Sequence, residues 1–87
     1  MKTTKTTKTV WEFNIGDQFK KNVSGLGTWV YELVDTHRAD DNRGGIRIKC
    51  KVISTTCNEC KNEIDKVFWV SFKSDRHNNW AKFTVTN

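Results

Sequence analysis

The sequence predicts a small, mainly β protein: an all-β, five-stranded antiparallel barrel with at most one short helical turn. Three observations predict it. Residues Ile46 to Ile53, read IRIKCKVI, alternate strictly, so that Ile46, Ile48, Cys50 and Val52 share one face of a strand while Arg47, Lys49 and Lys51 share the other. Apolar runs elsewhere are short and are separated by clusters of Gly, Asn, Asp and Ser. Finally, 87 residues with 36% hydrophobic content suffice for one core and not for two. Four Trp, five Phe and one Tyr fall mainly inside the apolar runs, and each would bury on the order of 150–250 Å².

The first nine residues carry Lys2, Lys5 and Lys8 among threonines, with no apolar residue between Met1 and Val10. They are expected to form a flexible basic arm, and residues 10–87 a single barrel domain. Val10 opens the first expected strand, in which Trp11, Phe13 and Ile15 alternate with Glu12 and Asn14 before a turn at Gly16-Asp17. Gly25 and Gly27 punctuate the chain, and TWVYELVD follows with apolar residues on both faces, as a central strand would have. DDNRGG, residues 40 to 45, has hairpin-loop chemistry and leads into IRIKCKVI, which implies antiparallel pairing.

Thr56-Cys57-Asn58-Glu59 fits a capping box, and Cys60, Ile64 and Val67 lie at helical spacing, so residues 54–66 read as a short helical turn or, equally, as a polar excursion. VFWVSFK places Phe68, Val70 and Phe72 on one face and Val67, Trp69, Ser71 and Lys73 on the other. After the turn SDRHNN, the run WAKFTVT puts Ala81, Phe83 and Val85 inward and Trp80, Lys82 and Thr84 outward. The expected core includes Phe13, Ile15, Ile48, Val52, Phe68, Val70, Phe72 and Phe83.

At GDQFKK, YELVD, IKCKVI and FWVSF the chain resembles an SH3-like small barrel in strand order and patterning, from about Val10 to Val85. That resemblance implies a helical turn before the last strand and implies no function, since the fold carries many. In size, charge and lack of familiar motifs the chain also resembles short phage-encoded proteins that take over host machinery or block host defence.

Fifteen basic against ten acidic residues give a net charge of +5, which favours an anionic partner. Arg47, Lys49 and Lys51, joined by Trp69, Lys73, Trp80 and Lys82 from neighbouring strands, would make an outward surface of cations interleaved with aromatic rings. Such a surface suits RNA or single-stranded DNA, because the cations offset phosphate charge while an exposed ring stacks on a base. The same residues read structurally as a solvated strand face, with a Trp capping the open end of the core. Cys57-x-x-Cys60 is half of a zinc knuckle, and Cys50, His37 and His77 complete it only if folding gathers two of them, so no metal or other cofactor is expected. His37 and His77 stand beside turns, and Asp40-Asp41-Asn42 lacks the ligand spacing of a calcium loop. No phosphate-binding loop, nucleophile elbow or zincin helix occurs, and no catalytic activity is expected.

The expected function is therefore regulatory binding of RNA or single-stranded DNA by a small basic protein. An alternative is an inhibitor or adaptor that docks on an acidic host protein such as a toxin nuclease, with or without RNA between them. A domain of a larger assembly is the third reading, although the self-contained strand pattern favours an independent protein. MKTTKTTKT has charge where a secretory leader has an apolar run, and no stretch approaches 18 apolar residues, so a cytoplasmic protein without a membrane partner is expected. The oligomeric state is left open.

Overall fold

The computed structural model describes residues 6–77 and 79–87. It is a small all-β fold, 51% strand and 7% helical, built as one antiparallel sheet curled into a half-barrel. In chain order the strands are β1 (Thr6–Lys8), β2 (Gln18–Val23), β3 (Gly27–Leu33), β4 (Ala39–Asp40), β5 (Gly45–Thr55), β6 (Val67–Lys73) and β7 (Phe83–Val85), with a 3₁₀ helix at Asn58–Glu63 between β5 and β6. Their order across the sheet is β1-β7-β2-β3-β5-β4, and β6 pairs with β5 along its other edge. Eleven-residue β5 is thus the spine, holding β3 and β4 on one side and β6 on the other.

The alternation read in IRIKCKVI is the alternation of β5. Ile48, Cys50 and Val52 are fully buried, Ile46 packs at the margin of the core, and Arg47, Lys49 and Lys51 face outward. β3 also matches its expected place as a central strand: it pairs with β2 through Gln18↔Glu32 to Val23↔Gly27 and with β5 through Trp29↔Thr55 to Leu33↔Cys50. The 40–45 loop closes a hairpin between β4 and β5, where the Asp41 carboxylate accepts hydrogen bonds from the backbone amides of Arg43 and Gly45, both at 2.8 Å.

The expected first strand is displaced. Val10 to Ile15 form turns, and the strand begins at Gln18. The reason is a pair of side-chain-locked turns: the Thr9 amide donates to Glu12 Oε1 at 2.8 Å while the Glu12 amide donates to the Thr9 carbonyl at 3.0 Å, and Asn14 and Asp17 repeat the exchange. Turn periodicity sends Val10 and Phe13 into the core, three residues apart, and leaves Ile15 62% exposed, which corrects its expected burial. Arg38 fastens these turns to the barrel by donating to the Val10 and Phe13 carbonyls, each at 2.9 Å.

Four further expectations need correction. Phe68 lies at the inward phase of β6 but is 40% exposed, because among the described residues no strand pairs with β6 along its other edge at this point. In WAKFTVT only Phe83–Val85 is strand, Ala81 is exposed and Trp80 packs inward against the core, since the sole ladder contact before Phe83 is an isolated bridge between Ser74 and Trp80. The Thr56–Glu59 capping box does not form: the helical turn is capped at Cys57 without a side-chain bond, and the Thr56 hydroxyl instead accepts from the Thr28 amide at 2.9 Å. That contact also explains Gly27, where φ is +82° and an added Cβ would run into the same hydroxyl. Of the expected arm, residues 1–5 lie outside the described residues and Thr6–Lys8 are β1, paired with β7. Among the described residues, no helix is long and apolar enough to cross a membrane.

The core is aromatic at its centre. Phe19 stacks on Phe13 at a centroid distance of 4.3 Å and lies 5.8 Å from Phe72, which in turn meets Phe83 edge-on at 5.1 Å. Phe19→Ala should therefore cost about 3–5 kcal/mol, whereas Ile15→Ser should stay within about 0.5 kcal/mol of the parent; urea denaturation distinguishes this arrangement from one with a strand at Val10–Ile15.

Asp17 supplies a pH test. Burial pushes its carboxyl up, but the Asn14 amide and the Lys8 ammonium, 2.7 Å away, outweigh burial and hold it below the usual carboxylate value. Its stabilisation is then complete above about pH 4 and is lost as the pH falls through the lowered folded-state value. Urea midpoints should decline on that acid limb, and Asp17→Asn should shrink the decline while lowering the midpoint at neutral pH.

Candidate nucleic-acid interface

The antiparallel register between β5 and β6 builds the outer surface residue by residue. Lys51 stands opposite Val67, Lys49 opposite Trp69, Arg47 opposite Ser71 and Gly45 opposite Lys73. Because alternate residues share a face, Arg47, Lys49, Lys51, Trp69 and Lys73 share the convex side of the sheet. Trp69 is its centre: the indole is 45% exposed, with Lys49 Nζ 5.2 Å and Arg47 Cζ 5.9 Å from its ring centroid. Both are within cation–π range, so the ring is oriented by its neighbours while its remaining surface faces solvent.

His37 approaches the indole edge-on at 6.4 Å from the loop between β3 and β4. Its neighbourhood in space could not be read from its turn position in the chain. Acidic groups bound the patch. Glu32 faces Lys51 across the β3–β5 ladder, but its carboxylate accepts from Gln18 Nε2 at 2.9 Å. Asp41 lies below the usual carboxylate range because the Arg43 and Gly45 amides hold it, with help from Lys73 and Arg47. It therefore offsets part of the field at the Arg47 end. Among the described residues the ion pairs are Lys8–Asp17 and Lys66–Glu63, so the cations of this face have no carboxylate at ion-pair distance.

Two of the expected residues are placed elsewhere. Trp80 is half-buried, edge-on to Trp11 at 5.6 Å, and lines a cavity of about 300 Å³ with Val10, Phe72 and Phe83. It belongs to the core margin. Lys82 is exposed beside Lys20 and Lys21 at a shallow concavity between β2 and β7, forming a second basic group. Both displacements follow from the shortness of β7, which does not extend the period-two pattern back to Trp80.

The cysteines are reduced thiols in different settings. Desolvation pushes buried Cys50 up to about 12, and a hydrogen bond with Cys57 raises Cys60 to about 11, so both remain protonated at neutral pH and are poor nucleophiles and metal ligands in that form. Among the described residues no three His, Cys, Asp or Glu side chains gather as a metal site.

Comparison with protein-family models, with curated proteins and with solved structures finds no match for this chain.

The geometry around Trp69 predicts an asymmetry in fluorescence quenching. Iodide, drawn by Arg47 and Lys49, should quench the protein more effectively than caesium at equal concentration, and Trp69→Phe should remove most of that excess. Equal quenching by the two ions would place Trp69 away from the cations, and an excess that survives the substitution would assign it to Trp11, the other exposed indole.

Proposed function

We propose that this protein binds single-stranded nucleic acid, RNA or single-stranded DNA, on the outer face of β5 and β6, acting by binding without catalysis. The observation that carries the reading is the half-exposed Trp69 ring between Lys49 and Arg47. The chemistry is complementary: a base stacks on the indole while the strand's phosphates run along Arg47, Lys49 and Lys51, whose two-residue spacing of roughly 6.5–7 Å is of the order of extended phosphate spacing. Lys73 extends the track at the far end of β6. A convex sheet face with one aromatic platform at Trp69 reads strandedness and charge more than sequence.

Fluorescence anisotropy with labelled oligouridine and oligothymidine tests it across a salt series. Affinity should fall with salt at a log–log slope of about −2 to −3, as expected for three or four phosphate contacts on a single strand. Lys49→Glu with Lys51→Glu should weaken all sequences alike and flatten the slope. Trp69→Ala should cost about 1–3 kcal/mol with little change in slope, and Lys82→Ala should have the smaller effect. Absence of binding by the folded protein at low salt, together with capture of a host protein from nuclease-treated extract, would replace this reading with that of a direct protein inhibitor.

A further inference from the structure

The half-barrel is open along one side, between β2 and β6. β2 pairs with β3 along its whole length but with β7 only at Phe19↔Val85, so beyond Phe19 its other edge has no strand partner among the described residues. β6 pairs with β5 alone, and the edge facing away from β5 is likewise unpaired until the Ser74–Trp80 bridge. Between these two edges lies a groove of about 490 Å³, floored by Trp29, Tyr31 and Val70 and rimmed by Leu26 and Phe68. Leu26 and Phe68 are 43% and 40% exposed, large apolar side chains left wet at the mouth of an otherwise buried core.

Lys21 stands inside this gap. It occupies the inward phase of β2, with its ammonium 5.7 Å over the Phe72 ring, and no carboxylate lies at ion-pair distance among the described residues. Glu63 also lines the groove, but its carboxylate pairs with Lys66 at 3.7 Å, so the half-buried cation at Lys21 calls for an anion from elsewhere. Two unpaired backbone edges flanking the same groove call for a ligand that carries amide donors and acceptors on both sides, which a polypeptide strand does and a nucleic-acid strand does not.

We propose that the groove takes an extended segment of a partner protein, about four to six residues long, which enters as an additional strand between β2 and β6 and completes the barrel wall. The segment carries an acidic residue opposite Lys21 and apolar residues two and four positions away, where the period of a strand turns them toward Trp29, Leu26 and Phe68. Successive antiparallel pairing through β3 and β5 makes β2 and β6 run in opposite directions. The segment therefore lies antiparallel to one wall and parallel to the other. Trp69 and Ser71 of the β5–β6 face stand at the margin of this groove, but the inference rests on the two open edges and on Lys21 and does not depend on nucleic-acid binding.

The probes are two blocked hexapeptides, acetyl-Glu-Thr-Val-Thr-Phe-Thr-amide and its Lys-first counterpart, with the reversed sequences of each. Amide hydrogen exchange, followed by NMR on the intact chain, should slow about tenfold or more at residues 20–23 and 67–71 when the acidic peptide saturates the protein. The Lys-first peptide should bind about tenfold more weakly, and Lys21→Glu should reverse that preference. Phe68→Asn, at an exposed position that the fold tolerates, should weaken both peptides with an unchanged circular dichroism spectrum. Unchanged exchange at both edges overturns the proposal, as does equal binding of the two peptides. Protection that grows with protein concentration alone would make a second copy the occupant, and oligonucleotide-induced shifts centred on Lys21, Leu26 and Trp29 would assign the groove to nucleic acid; either result also overturns the proposal.

Discussion

The β5 ladder is the constraint on which the other elements depend. Its inward side chains, Ile48, Cys50 and Val52, are fully buried, and a register slip by one residue would exchange them for Arg47, Lys49 and Lys51. Placing three cations in a core would be far more costly than any other register error in the chain, so the pattern fixes which way the strand faces. Pairing with β3, β4 and β6 then transmits that choice to the rest of the sheet. The basic face is the necessary reverse side of the core face, and β6 adds Trp69 to it because Lys49 and Trp69 are register partners.

The other end of the sheet is held differently. Short β1 and β7 contribute few ladder bonds, and the turns from Thr9 to Asp17 are secured by side chains: Glu12 and Asp17 on backbone amides, Lys8 on Asp17, and Arg38 on the Val10 and Phe13 carbonyls. Phe13 and Val10 thereby plug the barrel end beneath Phe19 and Trp80. Opposite this plug the wall between β2 and β6 stays open, and apolar surface around Leu26 and Phe68 is left in contact with water. Besides the second basic group at Lys20 and Lys82, the molecule thus presents a convex cationic surface around Trp69 and a concave, largely apolar one around Lys21.

The small all-β fold was legible because period-two alternation is strong in IRIKCKVI and VFWVSFK, and both are strands with the expected faces. Val10–Ile15 misled because Thr9-x-x-Glu12 and Asn14-x-x-Asp17, short turn signals, coincide with an apparent alternation of Trp11, Phe13 and Ile15. The matching signal at Thr56-x-x-Glu59 is present in the sequence but unused, because the Thr56 hydroxyl is taken by the Thr28 amide from a strand 28 residues away. On the basic face, Arg47, Lys49, Lys51, Trp69 and Lys73 follow from alternation alone. Trp80 and Lys82 do not join them, since a lone bridge at Trp80 carries no period. His37 and Arg38 were invisible as partners of Trp69 and of the Val10–Phe13 turns because loop residues acquire their neighbours only through tertiary packing.

The central claim, that the convex β5–β6 surface receives a nucleic-acid strand, is tested most directly by titrating nitrogen-labelled protein with oligouridine and following the amide and indole resonances by NMR. The Trp69 indole N–H and the amides of Arg47, Lys49 and Lys51 should shift together and saturate together, while Lys20 and Lys82 on the second basic group move little. Saturating shifts centred on Lys20, Lys21 and Lys82, with the Trp69 indole unmoved, would contradict it.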